Sequence, residues 1–188
     1  MTTRNYGNRS NKMAEKESSL CQKVIKHMKD DPHISLLLNN IQLPPQFECK
    51  NCDNININEQ NIKAYLLQYN NKEKPNKIIL CTDSNSSSSH LKVALKHELI
   101  HAYDLSNKRY DFEDCHGLAH TEIRAAREAD CNQHYFLFDF MKEACIIDKA
   151  SSSTNSIYKG RGRECVKEVY DSAMRDNEPF VHNKEQLK

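Results

Sequence analysis

A mainly helical α+β domain is the fold class that this 188-residue chain predicts. Three observations carry it. Most apolar residues recur three and four apart, the period of a helix with one buried face. Two short apolar runs, "AYLLQY" (64–69) and "KIILC" (77–81), flank the polar stretch "NNKEKPN". That pattern reads as a β-hairpin with an irregular turn. The sequence also shows no internal repeat, so a solenoid is not indicated.

Each element follows in order. From Glu15 to Leu43 the spacing is helical, with Leu20, Val24 and Met28, then Ile34, Leu37, Leu38 and Ile41 facing inward. Pro32 suits the first turn of the second segment, and "LPPQ" (43–46) ends it. The polar, turn-rich stretch around "QFECKNCDNININEQN" reads as a loop pinned by Cys49 and Cys52. The hairpin follows, then "TDSNSSSS" (82–89), a loop rich in helix-capping residues. A helix is expected from about Ser89 to Asp104, with Leu91, Ala94, Leu95, Leu99 and Ala102 on one face. After the loop 106–117, one long helix is expected from Leu118 to Cys145, with Ile123, Ala126, Ala129 and Leu137 inward. "DKASSSTNS" (148–156) reads as a polar linker. A last helix should cover Gly162–Met174, with Val166, Val169 and Tyr170 inward, before "NEPF" (177–180) closes the fold.

Composition narrows the function classes. The hydrophobic share is 38%, with no Trp and 7% aromatic residues, so the core must be lean and aliphatic. The formal net charge of +1 gives no electrostatic footprint for nucleic acid. No apolar run approaches the ~18–20 residues of a membrane-spanning helix. The opening residues carry Arg, Lys and Ser with no acid before Glu15 and no apolar face. Residues 1–14 are therefore expected to be a disordered tail. Eight cysteines spread almost end to end suit structural disulfides in an oxidising compartment, with scattered free thiols as the alternative. Only Cys49 and Cys52 form a CxxC pair, so a four-thiolate zinc ribbon is not indicated.

The chemistry concentrates in "KHELIHAYD" (96–104). His97 and His101 stand one helical turn apart, about 6 Å along the axis. Both imidazoles leave the same face and can meet on one ion. Glu98 is rotated by about 100° from His97. It is misplaced for direct ligation and well placed to take a proton from water polarised by the metal. Apolar neighbours show that the helix is at least half buried.

A catalytic zinc with three protein ligands needs one more donor. Glu122, in "HTEIRAAREAD" on the next helix, is the first candidate, and small Ala125, Ala126 and Ala129 would let the two helices approach closely. His120 and His116 are alternatives, and Glu122 could instead serve an intrahelical ion pair with Arg124 or Arg127. Asp104 either accepts the free ring N–H of a ligand histidine or is an ordinary polar residue at a helix end. Arg124 is a candidate cation for the oxyanion. "KIILC", entering the metal helix after one loop, is the candidate edge strand for an extended substrate backbone.

"KIILC", "HELIHAYD", "TEIRAAREADC" and "NEPF", in that order, resemble the family of mitochondrial inner-membrane metalloproteases that also assist ATP synthase assembly, whose mammalian members have been described as Ku-binding proteins. The resemblance runs over about residues 20–181. It implies a zincin-like fold in which the hairpin or small sheet lies beside the HExxH helix. It implies one zinc ion bound by His97 and His101, with Glu98 catalytic; its "EIRA" glutamate matches Glu122. It further implies a peripheral protein on the intermembrane-space side of the inner membrane. The implied substrate is the precursor of a membrane-sector ATP synthase subunit, and no nucleic acid is expected. A non-proteolytic assembly chaperone with a structural zinc is the alternative. His120 stands where the family usually has a cysteine, Leu105–Ser106 where many members have another, and the family's cysteine just before "EPF" is missing while Cys165 lies earlier. No disulfide pairing is therefore carried over. The expected organisation is a tail over 1–14, a single metallopeptidase domain over 15–181 and a polar tail over 182–188.

Overall fold

The structure, a computed structural model, describes residues 19–52, 63–68, 74–82, 87–132 and 138–180. The tails expected over 1–14 and 182–188, the centre of the hairpin turn, and Leu137, His134 and His182 lie outside the described residues.

The first helical region runs as α1 (19–27), a 3₁₀ turn (Met28–Asp30) and α2 (Pro32–Asn39). Pro32 takes the first position of α2, as expected. Asp31 caps it, its Oδ1 accepting from the backbone N–H groups of His33 at 2.9 Å and Ile34 at 3.2 Å.

Three strands follow: β1 (Gln46–Lys50), β2 (Ala64–Leu67) and β3 (Lys77–Cys81). β2 and β3 pair antiparallel, with Leu66 opposite Ile78, so the expected hairpin is present. β1 was not foreseen. It lies in the stretch read as a loop, and it pairs parallel to β3 with Phe47 opposite Ile78. The sheet order is β1-β3-β2, which places "KIILC" in the centre rather than at an edge. Ile78 to Cys81 are all buried, as a strand covered on both faces should be. The edge facing the metal helix is therefore β2.

α3 (Ser88–Ser106) carries "HELIHAYD" and starts on Ser87, whose hydroxyl accepts from the His90 N–H. Leu91, Leu95, Leu99 and Ala102 pack with α1, α2 and the sheet into an aliphatic core that also takes in Phe180.

The single long helix expected after it is two helices. α4 (Cys115–Ala125) passes into a π turn (Ala126–Asp130), and a separate α5 runs Asp139–Ile157. The expected linker 148–156 lies inside α5. Ala150 and Thr154 are fully buried there, one and two turns beyond Ile146, and their packing outweighs the weak helix propensity of the Ser and Thr residues around them. α6 (Gly162–Arg175) matches expectation. It lies close enough to α5 that a Cβ at Gly162 would stand 2.6 Å from the Ser151 carbonyl oxygen. α4, α5 and α6 enclose a second core of small residues, including Ala119, Ala126, Ala150 and Ala173.

All eight cysteines are paired: Cys21–Cys49, Cys52–Cys81, Cys115–Cys165 and Cys131–Cys145. The first two tie β1 and its following segment to α1 and β3. The other two tie α4 to α6 and the end of the π turn to α5.

Candidate metal centre

The two cores meet where α3 crosses α4, and the polar side chains of that seam form the site. His97 and His101 leave α3 on one face, their Nε2 atoms 3.0 Å apart. Glu122 of α4 faces them. One carboxylate oxygen lies 3.4 Å from His97 Nε2 and the other 3.5 Å from His101 Nε2. Three donor atoms of a tetrahedral zinc site stand roughly 3.3 Å from one another, so these spacings suit one ion. His101 and Glu122 are each 8% exposed. The Oε2 atom of Glu122 is buried without a hydrogen-bond partner. A buried carboxylate oxygen left unpaired is costly unless a cation meets it. The donor set thus fits a metal.

His97 turns its other ring nitrogen to Asp130, Nδ1 to Oδ2 at 2.6 Å. Asp130 sits at the end of the π turn, and that turn is what aims it. In an ordinary helix, eight residues would leave Asp130 about 80° round from Glu122. The wider winding of a π turn brings it back to within roughly 20°. The Cys131 N–H closes the turn on the Ala126 carbonyl, five residues back, at 2.8 Å. Sequence reading missed Asp130 because a 3.6-residue period sends it to another face.

His101 is supported differently. Its Nδ1 lies 3.0 Å from the Thr121 hydroxyl, and that hydroxyl donates to Asp104 at 2.7 Å. Asp104, expected to accept directly from a ligand histidine, reaches His101 only through Thr121. Its other oxygen accepts from Arg124, and Arg109 lies 3.5 Å from it. Arg124 is 1% exposed and also donates to the Glu178 carbonyl. It is committed to the fold and is not a free cation for an oxyanion, which corrects that expectation. Thr121 was also missed. Nothing local marks it, since it stands among His120, Glu122 and Arg124 on the same helix.

The alternative ligands sit elsewhere. His116 lies in the first turn of α4, with its Nε2 2.6 Å from Glu168 of α6. His120 is buried with its ring stacked on Tyr110, centroids 4.1 Å apart. Among the described residues, His97, His101 and Glu122 form the one cluster whose donor atoms converge on a common point.

Electrostatics polarises the cluster. Burial opposes charge on His97, but Asp130 and Glu122 outweigh it and raise the His97 pKa well above the usual imidazole range. His101 is pushed down to about 4, by burial first and by its charged neighbour His97. Burial would raise Glu122, but His101 and His97 overcome it and hold the carboxyl below its ordinary value. Glu98 points toward the sheet, where it accepts from the Leu66 backbone of β2, and burial pushes its pKa up to about 7. Phe112 stands edge-on to His101, ring centroids 6.1 Å apart, and forms an apolar wall beside the donors.

A largely buried donor triad beside an acid and a strand edge is an arrangement suited to peptide hydrolysis, and comparison with known proteins gives the same class. The chain belongs to the Peptidase M76 family, whose model matches residues 9–181. It is similar to the mitochondrial inner membrane protease ATP23 homolog of Homo sapiens, with 28% identity covering 87% of this chain and 71% of the relative. The relative of the same name from Xenopus laevis is 34% identical over 55% of this chain and 48% of its own length. The one from Danio rerio is 31% identical over 59% and 49%. The chain thus spans about half the length of the frog and fish relatives in these matches. No solved structure matches it.

Proposed function

We propose that this chain is a zinc metalloendopeptidase in which His97, His101 and Glu122 hold one ion and Glu98 is the catalytic acid–base. The observation that carries the reading is the convergence of three donor atoms, two of them on buried residues, with one carboxylate oxygen that makes no hydrogen bond. When bound, the metal supplies Lewis acidity: it draws electron density from a scissile carbonyl and makes water acidic near neutral pH.

The chain's own residues do the rest. The outer edge of β2, where the Leu66 N–H already donates to Glu98, is the strand edge along which an extended peptide would lie. Glu98 lies beside that edge and is the carboxylate placed to take a proton from water and release it again. It passes the proton to the leaving amine nitrogen as the peptide bond breaks. Asp130 holds the His97 ring in place throughout.

The relatives' names and the sequence resemblance extend the proposal. The chain works at the mitochondrial inner membrane, peripherally on the intermembrane-space side. Its substrate is the precursor of a membrane-sector ATP synthase subunit, and it assists assembly of that enzyme. Two observations support the location. No described helix is long and apolar enough to cross a membrane, and a fully paired set of eight cysteines suits an oxidising compartment. A non-proteolytic chaperone with a structural zinc fits less well, because structural sites close with four protein ligands and three converge among the described residues.

Glu98→Gln tests the reading. The variant should bind zinc in one-to-one ratio and lose cleavage by about 10²–10⁴-fold. Full cleavage by this variant would end the peptidase mechanism.

A further inference from the structure

The two candidate ligand histidines are oriented by unlike partners, and the difference singles out one residue. His97 has a carboxylate, which can only accept. His101 has a hydroxyl, which could either donate or accept. What decides is on the far side of that hydroxyl. Thr121 is fully buried, and its one proton goes to Asp104 at 2.7 Å. Asp104 is itself fully buried and paired with Arg124. Arg124 is held in turn by the Glu178 carbonyl, so the carboxylate has neither room nor reason to give up its role as acceptor.

With its proton committed, Thr121 Oγ1 can only accept from His101 Nδ1, 3.0 Å away. The hydrogen of His101 must then sit on Nδ1 and the lone pair on Nε2. Nε2 is the atom that faces His97 Nε2 and Glu122.

We infer that Thr121 is a positioning residue that fixes the tautomer of His101, so that Nε2 presents its lone pair to the metal before any metal arrives. A ring free to choose would spend part of its time with hydrogen on Nε2, the wrong atom for ligation. This inference rests on the metal reading above and adds to it the means by which one ligand is prepared. Partners of this kind are worth about 10–100-fold in metal affinity.

The experiment compares Thr121→Val, which keeps the shape and removes the hydroxyl, with Thr121→Ser, which keeps the hydroxyl. Zinc affinity is measured by competition with a chelating dye. The tautomer of His101 is read in the chelator-treated protein from its ring ¹⁵N shifts. The expected result is about tenfold weaker zinc binding in Thr121→Val, with His101 shifting toward the Nε2–H form, and near wild-type behaviour in Thr121→Ser. If Thr121→Val fails to fold, Thr121→Ala carries the same comparison. Wild-type affinity and an Nδ1–H ring without the hydroxyl would overturn the inference. So would equal losses in the Val and Ser variants, which would make the effect one of packing. His97→Ala separates the two levels: if it still binds zinc normally, the metal reading fails. If it loses zinc while Thr121→Val does not, only the tautomer inference fails.

Discussion

The half of the molecule built on the sheet and the half built on α4, α5 and α6 solve the packing problem in opposite ways. The first buries large aliphatic side chains: Ile34, Leu37, Ile78, Leu80, Leu91, Leu95 and Leu99 are at most 2% exposed. The second buries mostly alanines around Ile123, Ile146 and Val166, while each half carries two disulfides. Large side chains keep elements apart and fill the space by themselves. Small ones bring helix backbones close but bury less apolar area for each side chain. The halves also divide the site. The sheet half supplies the nitrogens and Glu98, while the helical half supplies Glu122, Asp130 and Thr121. The candidate metal centre is therefore a joint whose donors come together only when both cores are formed.

The largest effect should come from breaking that joint. Glu122→Ala removes the only donor from the helical half, and stoichiometric zinc should be lost in metal analysis although α3 is untouched. Retention of the metal would move the third ligand elsewhere.

The contrast between cores predicts opposite sensitivities. Leu95→Ala, in the sheet half, should cost about 3–5 kcal/mol in urea unfolding through the cavity it leaves. Ala150→Leu, in the helical half, should cost about 1–3 kcal/mol through overpacking. Replacing Cys115 and Cys165 together should cost about 2–4 kcal/mol, since that bond closes a span of 50 residues. If Ala150→Leu proved neutral, the helical core would be looser than described.

The smallest effect is a pH dependence at the seam. The folded pKa of Glu98 is about 7 and its ordinary value is 4.5, so the folded metal-free protein binds the proton more tightly. Stability from this group is fully present below about 4.5 and declines as pH rises to about 7. With metal chelated, Glu98→Gln should match wild type near pH 4.5 and exceed it above pH 7, as read from urea midpoints. A constant difference across that range would show that Glu98 carries no burial cost.

The sheet half was also the more legible in sequence. Long aliphatic side chains three and four apart announce α2 and α3, and Pro32 marks a start. The exception was β1: a parallel strand draws its partner from a distant part of the chain, and "QFECK" has only Phe47 and Cys49 as inward residues. Strand order is likewise not written locally, and so β3 was assigned the edge that β2 holds. In the helical half, Ala150 and Thr154 are too small to announce a buried face, and a run of serines around them reads as a linker. The convergence of His97 and His101 on one face was legible because their spacing matches an ordinary helix. Glu122 could be nominated by chemistry and helix approach. Asp130 and Thr121 could not, since one depends on a change of winding and the other on which way a proton points.

That change of winding has a consequence for how this helix tolerates length change. A π turn is what remains when a regular helix accommodates a single extra residue. Excising one residue from 126–129 would let the coil close normally and leave the carboxylate seven residues from Glu122, about 20° round on the other side, so the imidazole would keep its tether; keeping the residue but winding it regularly would instead swing the carboxylate about 80° away. The helix can therefore lose its extra residue and keep its aim, but it cannot keep that residue and wind regularly.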